Sequence, residues 1–256
     1  MTIKRLLNFV IKKKISFLSS PFDLESLNLL FRLKIFNIKI ASGEITHFIF
    51  LKNLAKKAKK IFISTGMSTL SEVSRAIKIL IKNGAKRKNI TVLHCHTDYP
   101  TQLRDVNLLA MKNMENKFSL DVGYSDHTVG NETAIAAVAL GAKIIEKHIT
   151  LSKRLSGPDH KASLEPDELK AMVQAIRNIE KALGDGIKRP SPSELKNKPV
   201  VRKSLVAATA IQAGEKFSTT NMTVKRPGTG ISPMCWDDVL GRTSNRDFEP
   251  EELIEL

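Results

Sequence analysis

VGYSDHTVGNETAIAAVALGAKIIEKH, residues 122–148, decides the fold. It opens with a short apolar run ending in Ser125, Asp126 and His127. It closes with another ending in Glu146, Lys147 and His148. Between them residues 131–141 are apolar, helix-prone and stopped by Gly141. Strand, helix, strand is a βαβ unit, whose two strands lie side by side and parallel. His127 and His148 then project from neighbouring strand ends on one face. Two imidazoles held that way, with room left for water or substrate, suit a divalent metal. Two satisfied polar histidines at loop starts are the plainer alternative.

Outward from this unit the same pattern recurs. Short β-branched or aromatic runs at residues 15–19, 36–41, 60–64, 90–94, 120–125 and 144–148 each end in Ser, Thr, Lys or His, and a helical segment follows. Thr69 and Glu72 form a capping-box pattern ahead of an apolar face of Val73, Ile77, Leu80 and Ile81. Pro166 opens the last long helix, with Leu169, Met172, Val173, Ile176, Ile179 and Leu183 on its apolar side and Gly184 as its stop. Strands alternating with helices predict an α/β fold with a parallel sheet. A doubly wound sheet usually carries a Gly-rich phosphate loop after its first strand, and this chain has none there. Polar residues collect after every strand, as they do on the C-terminal face of a (β/α)8 TIM barrel. Six units are visible and eight close such a barrel. Residues 1–184 are thus expected to form a partial barrel. The Pro-, Gly- and Lys-rich residues 185–199 read as a linker, and 200–256 as a small β-rich domain that ends in a short helix.

The 256 residues suffice for a full core, and 42% apolar with 26% charged residues describes a globular chain. No apolar run approaches the ~18 residues of a membrane span. The basic start lacks a small-residue cleavage site, so no signal peptide is read there. Cys95 and Cys235 have no metal spacing and fit a reducing cytoplasm. The formal charge of +15 is spread over scattered lysines, and aromatics make up only 5%. That argues against nucleic acid as the partner and for solvated helix faces, with a field that favours small anions.

If every strand end contributes to one bowl, it gathers Ser19 and Ser20; Lys39, Ser42 and Glu44; Ser64 and Thr65; His94, His96, Thr97 and Tyr99; Ser125, Asp126 and His127; and Glu146, Lys147 and His148. Asp159 and His160 lie in the loop beyond. Hydroxyls converging with a lysine make a phosphate or carboxylate site. Lys39 lies between Ile38 and Ile40 and so points opposite to them, where an inward ammonium needs an anion; a snorkelling edge lysine is the alternative.

The stretches FLSSPFDLES (17–26), KIASGEI (39–45), STGMSTLSE (64–72), GYSDHTVGNETAIAAVALGAKIIEKHITL (123–151), GPDHKASLEPDELKAMV (157–173) and VKRPGTGISPMCWDDVLG (224–241) resemble the bacterial sialic acid synthase family, of the N-acetylneuraminate synthase kind. The resemblance implies a TIM barrel followed by an antifreeze-like SAF domain in a domain-swapped homodimer. It implies condensation of phosphoenolpyruvate with N-acetylmannosamine and water, giving N-acetylneuraminate and phosphate. It implies manganese or magnesium on His127 and His148, acting as a Lewis acid on the sugar aldehyde. By the same resemblance Ser20, Lys39, Ser42, Ser64 and Ser125 hold phosphoenolpyruvate, and Tyr99 and Asp159 hold the amino sugar with Thr97 beside them. Arg226 reaches the N-acetyl group in the other subunit. Where the family commonly has Thr or similar, this chain has His96, expected to be a bystander.

Residues 1–8 resemble the helix ahead of the third barrel strand. The chain is therefore expected to lack the first two βα units, which in the family bring a catalytic glutamate and a further phosphoenolpyruvate-binding lysine. Two unpaired sheet edges, lowered stability and little synthase activity are the expected consequences. Legionaminic and pseudaminic acid synthases of the same group, and a non-catalytic sugar-binding remnant, are the competing readings.

Overall fold

The computed structural model describes residues 3–256, which divide into two compact units between Asp185 and Gly186. In the first unit helices α1 (Ile3–Lys12) and α2 (Leu24–Arg32) precede strand β1 (Asn37–Ile40). Then come α3 (Phe48–Ala55), β2 (Lys60–Ser64), α4 (Leu70–Lys82), β3 (Ile90–Cys95), α5 (Leu109–Phe118), β4 (Asp121–Asp126), α6 (Glu132–Ala139), β5 (Ile145–Lys147) and α7 (Pro166–Leu183). Residues 1 and 2, part of the helix expected at 1–8, lie outside the described residues.

The strands form one parallel sheet in chain order, β1-β2-β3-β4-β5. Its register separates two faces. Ile38 and Ile61, Ile40 and Ile63, Val92 and Val122 pair on one side, and all six are 4% exposed or less. They pack with Leu27, Leu30, Phe50, Leu54, Val73, Ile77, Leu80, Met111 and Met114 from the surrounding helices. The other side carries Lys39, Phe62, Ser64, Leu93, Cys95, Ser125 and Glu146, again paired in register. This second face is concave. A flat sheet would set β1 and β5 about 19 Å apart at about 4.8 Å per strand, yet Lys39 Nζ on β1 reaches Glu146 Oε1 on β5 at 3.0 Å. The sheet is therefore curled into part of a barrel.

Helix ends follow the sequence signals closely. Thr69 Oγ1 accepts from Glu72 N, while Glu72 accepts from Thr69 N at 2.8 Å. Pro166 sits at the start of α7 and Gly184 caps it. Two details differ. Of residues 15–19 only Ser19 pairs, as a parallel bridge to Ile38, while Ile15 and Leu18 are 59% and 43% exposed. The apolar stripe of α7 is narrower than its pattern: Met172 and Ile176 are buried against Ala134 and Val138 of α6, whereas Val173 and Leu183 face outward.

The second unit holds α8 (Pro192–Leu195), α9 (Lys198–Val201), the antiparallel pair β6 (Ser204–Ala207) and β7 (Met222–Lys225), and α10 (Trp236–Val239). Leu205, Ile211, Phe217, Met222, Val239, Phe248 and Ile254 form its core. Val200 and Val201, expected to open a β run, are helical. Both side chains are exposed, with no sheet face to fill, and Pro199 stands in the first turn of their helix.

Gly123 shows how tightly β4 is held. A Cβ there would meet the Ile144 carbonyl oxygen and Leu93 Cδ2 at 2.6 Å each. Gly123→Ala should cost about 1–3 kcal/mol, as overpacking does. Gly43→Ala, where a Cβ meets nothing within 4 Å, should be close to neutral. Thermal unfolding of the two variants checks the contrast; equal melting temperatures would contradict the close approach.

Candidate functional site

The alternation of β4 and β5 builds the site. Ser125 pairs with Glu146 and Asp126 with Lys147, so Ser125, His127, Glu146 and His148 share the concave face. Asp126 and Lys147 fall on the opposite, helix-covered face. The imidazoles of His127 and His148 lie edge to face, 5.4 Å between centroids at 86°. Tyr99 stacks on His127 at 4.0 Å and stands 5.3 Å from His148.

His127 is held from behind: its Nδ1 donates to the His96 carbonyl at 2.6 Å. That bond fixes the tautomer and leaves Nε2 as a lone-pair donor. Burial, and less strongly the neighbouring His148, push its pKa below the usual imidazole value. His96 therefore contributes through its backbone; its ring turns away to accept from Asp98 N at 3.1 Å. His94 is structural, its Nε2 donating to the Val106 carbonyl at 2.7 Å and its ring stacked on Tyr124.

Lys39 needs an anion, and here Glu146 supplies it. The same carboxylate oxygen accepts from Ser125 Oγ at 2.7 Å. Ser64 is 1% exposed, and its Oγ is a buried side-chain oxygen with no hydrogen-bond partner among the described residues. Ser42 accepts from Gly66 N at 3.0 Å and lies 3.8 Å from Cys95 Sγ. A Cβ on Gly66 would stand 2.6 Å from Thr97 Cγ2 and 2.9 Å from Ser42 Oγ. Three successive strand-end loops are thus packed together at that point. Burial raises the Cys95 thiol and pushes the Tyr99 phenol up to about 12.

Other expected residues are placed less centrally. Ser20 lies one residue past the Ser19 bridge and is half-buried beside Pro21 and Phe22. Asp159 is exposed, with its carboxylate 3.9 Å from His148 Nδ1. Arg226 belongs to the second unit, where its Nε donates to the Val201 carbonyl at 2.9 Å. Its loop is pinned rather than free: Ser204 Oγ donates to the Pro227 carbonyl at 2.7 Å and accepts from Gly230 N at 2.9 Å.

Two neighbouring imidazoles, that of His127 with its Nε2 left free as a donor, fit a divalent metal as half of its shell, with water and substrate as the rest. Among the described residues no group of three or more His, Cys, Asp or Glu side chains gathers as a closed metal site. Two contributions escaped the sequence reading. Glu146 was visible only as a strand-end residue, and its role as countercharge to Lys39 needs the curl of the sheet. Asp126 and Lys147, expected in the bowl with the other strand-end residues, instead pair with both side chains buried on the opposite face, because two-residue alternation turns them away from Ser125 and Glu146.

The NeuB family model matches residues 2–188, and the SAF domain model matches residues 202–255. The N,N'-diacetyllegionaminic acid synthase of Campylobacter jejuni is 55% identical over 98% of this chain and 75% of its own length. The synthase of that name from Legionella pneumophila is 42% identical over 89% of this chain and 64% of its own length. The crystal structure of the N-acetylneuraminic acid synthetase of Leptospira borgpetersenii, in complex with citrate, superposes with a TM-score of 0.70 at 36% identity. That match covers 75% of this chain and 67% of that one. No described helix is long and apolar enough to cross a membrane.

Buried His127 and half-buried His94 should give stability a pH dependence. Burial lowers the pKa of both His94 and His127. The unfolded chain then binds more protons than the folded one between the unfolded value of about 6.5 and the lowered folded values. Stability is full above about pH 6.5 and falls as pH drops through that window. Melting temperature measured from pH 7.5 to 5 should decline accordingly. His94→Gln, which keeps a donor for the Val106 carbonyl, should flatten the decline.

Proposed function

The chain belongs to the NeuB family and carries a SAF domain, and from that premise we propose that its first unit is the phosphoenolpyruvate-condensing core of a nonulosonic acid synthase, a transferase. One observation carries the reading: Lys39 and Glu146 meet across the concave face, beside the two imidazoles and the unpartnered Ser64 hydroxyl. That combination suits a small dianion with a reacting carbon next to a carbonyl.

Lys39 would hold the phosphate or carboxylate of phosphoenolpyruvate, with Ser42, Ser64, Ser125 and Ser20 as hydroxyl donors. Ser64 is the clearest of these, because a buried hydroxyl without a partner is a cost that a ligand oxygen removes. Tyr99, with its phenol kept protonated, offers one face to the sugar beside Thr97 and Asp159. His127 and His148 would hold manganese or magnesium, which supplies Lewis-acid polarisation of the open-chain aldehyde. Glu146 carries a carboxylate on this face within reach of both Lys39 and Ser125. It is placed to orient or deprotonate the water that adds at C2 before the bond to phosphate breaks. Arg226 would serve the acyl group of the sugar from the partner subunit of a swapped homodimer.

Among the sugars considered, the relatives favour the legionaminic one. Two synthases of that product are 55% and 42% identical, against 36% for the N-acetylneuraminic acid synthetase. The acceptor is then a diacetamido hexose in preference to N-acetylmannosamine.

Phosphate release from phosphoenolpyruvate with each sugar in turn tests the choice. The diacetamido hexose should be preferred by at least about tenfold in kcat/KM; the reverse order would restore N-acetylmannosamine. Lys39→Met should weaken phosphoenolpyruvate binding, measured by calorimetry, at least about tenfold, or ~1.4 kcal/mol. Unchanged binding would remove Lys39 from the site.

A further inference from the structure

On the convex side of β4 and β5, directly behind the two histidines, lies a charged network buried from solvent. Lys147 and Asp126 side chains are 2% and 0% exposed and meet at 2.8 Å. Asp126 Oδ1 accepts from Thr128 N and Thr128 Oγ1, both at 2.8 Å. Its Oδ2 accepts from Lys147 Nζ and, at 3.0 Å, from Thr133 Oγ1 of α6. Lys147 Nζ also donates to the Thr128 carbonyl at 2.6 Å, and the Thr128 and Thr133 hydroxyls lie 2.7 Å apart. Every oxygen of the carboxylate is satisfied twice.

Such a pair is a poor choice if filling space is the aim, because apolar residues of similar volume do as well or better. Its geometry points to another use. His127 sits between Asp126 and Thr128, both clamped, and His148 directly follows Lys147. The network thus ties the backbone on both sides of one imidazole to the backbone immediately before the other.

We propose that Asp126 and Lys147 are positioning residues that set the separation and orientation of His127 and His148, and through them the affinity of the histidine pair for a divalent metal. This rests on the metal reading of the histidines given above. Substrate stays on the concave face, so neither residue of the pair touches it.

The test uses the full chain with 15N-labelled histidine, as wild type, Lys147→Met, Asp126→Asn and Thr133→Val, each checked for fold by circular dichroism. Free manganese is followed by electron paramagnetic resonance. The imidazole 15N signals are read without metal, with His127 assigned through His127→Gln. Folded Lys147→Met or Asp126→Asn should bind manganese about 10–100-fold more weakly, as loss of an outer support does. The Nδ1-protonated signal of His127 should shift or broaden. A folded variant with unchanged manganese affinity and unchanged imidazole signals overturns the proposal. If neither charge variant folds, Thr133→Val decides: it keeps both charges and removes one hydrogen bond to Asp126. It should weaken manganese binding several-fold, and wild-type behaviour would overturn the proposal. If the wild type binds no manganese, the metal reading fails, while the 15N signals still judge the pair.

Discussion

Strands β4 and β5 approach each other across Gly123, where the Ile144 carbonyl leaves no room for a side chain. In that parallel pairing Ser125 stands beside Glu146 and Asp126 beside Lys147. Two-residue alternation then sends each kind of pair to its own face. The concave face receives a hydroxyl, a carboxylate and two imidazoles. The convex face receives a carboxylate and an ammonium under α6. A slip of one residue would exchange the faces, take the histidines out of the bowl and leave the ion pair in it. The chemistry of the first unit therefore depends on register more than on any single contact.

Within the bowl, charge is balanced before any ligand arrives. Lys39 is 16% exposed and neutralised by Glu146, which also accepts a hydrogen bond from Ser125 Oγ. On the proposed reading an incoming anion would compete with Glu146 for Lys39, and the better it bound Lys39, the more it would free the Glu146 carboxylate. Partial burial makes this exchange stronger than it would be between exposed groups, where water screens both partners. The overall charge of +15 adds a field that draws anions toward the protein.

Much of this was legible in the chain. Lys39 between two isoleucines announces its face. The Thr69–Glu72 box marks where α4 starts, and two runs ending in histidine around an apolar helix imply parallel neighbours. What stayed hidden depends on depth and curvature. Alternation says that Asp126 and Lys147 share a face, not that the face is dry. Glu146 meets Lys39 only because the sheet curls through five strands. The stacking of Tyr99 on His127 is made by a loop, whose path no periodicity records. Residues 15–19 carry a strand composition, yet pairing needs a partner backbone, and only Ser19 has one among the described residues.

Two kinds of electrostatics sit back to back in the same two strands. Burial holds the His127 pKa down, and its ring is fixed by one bond to the His96 carbonyl. The ion pair behind them is costly to bury and costs about 3–5 kcal/mol to break by removing one partner. That asymmetry makes it a stiff support: small displacements meet a steep restoring force, whereas an apolar contact of equal area has no preferred direction. On the proposed reading, a site that must present two rings at one separation would gain more from direction than from net stability. The network around Asp126 provides direction at every oxygen it has.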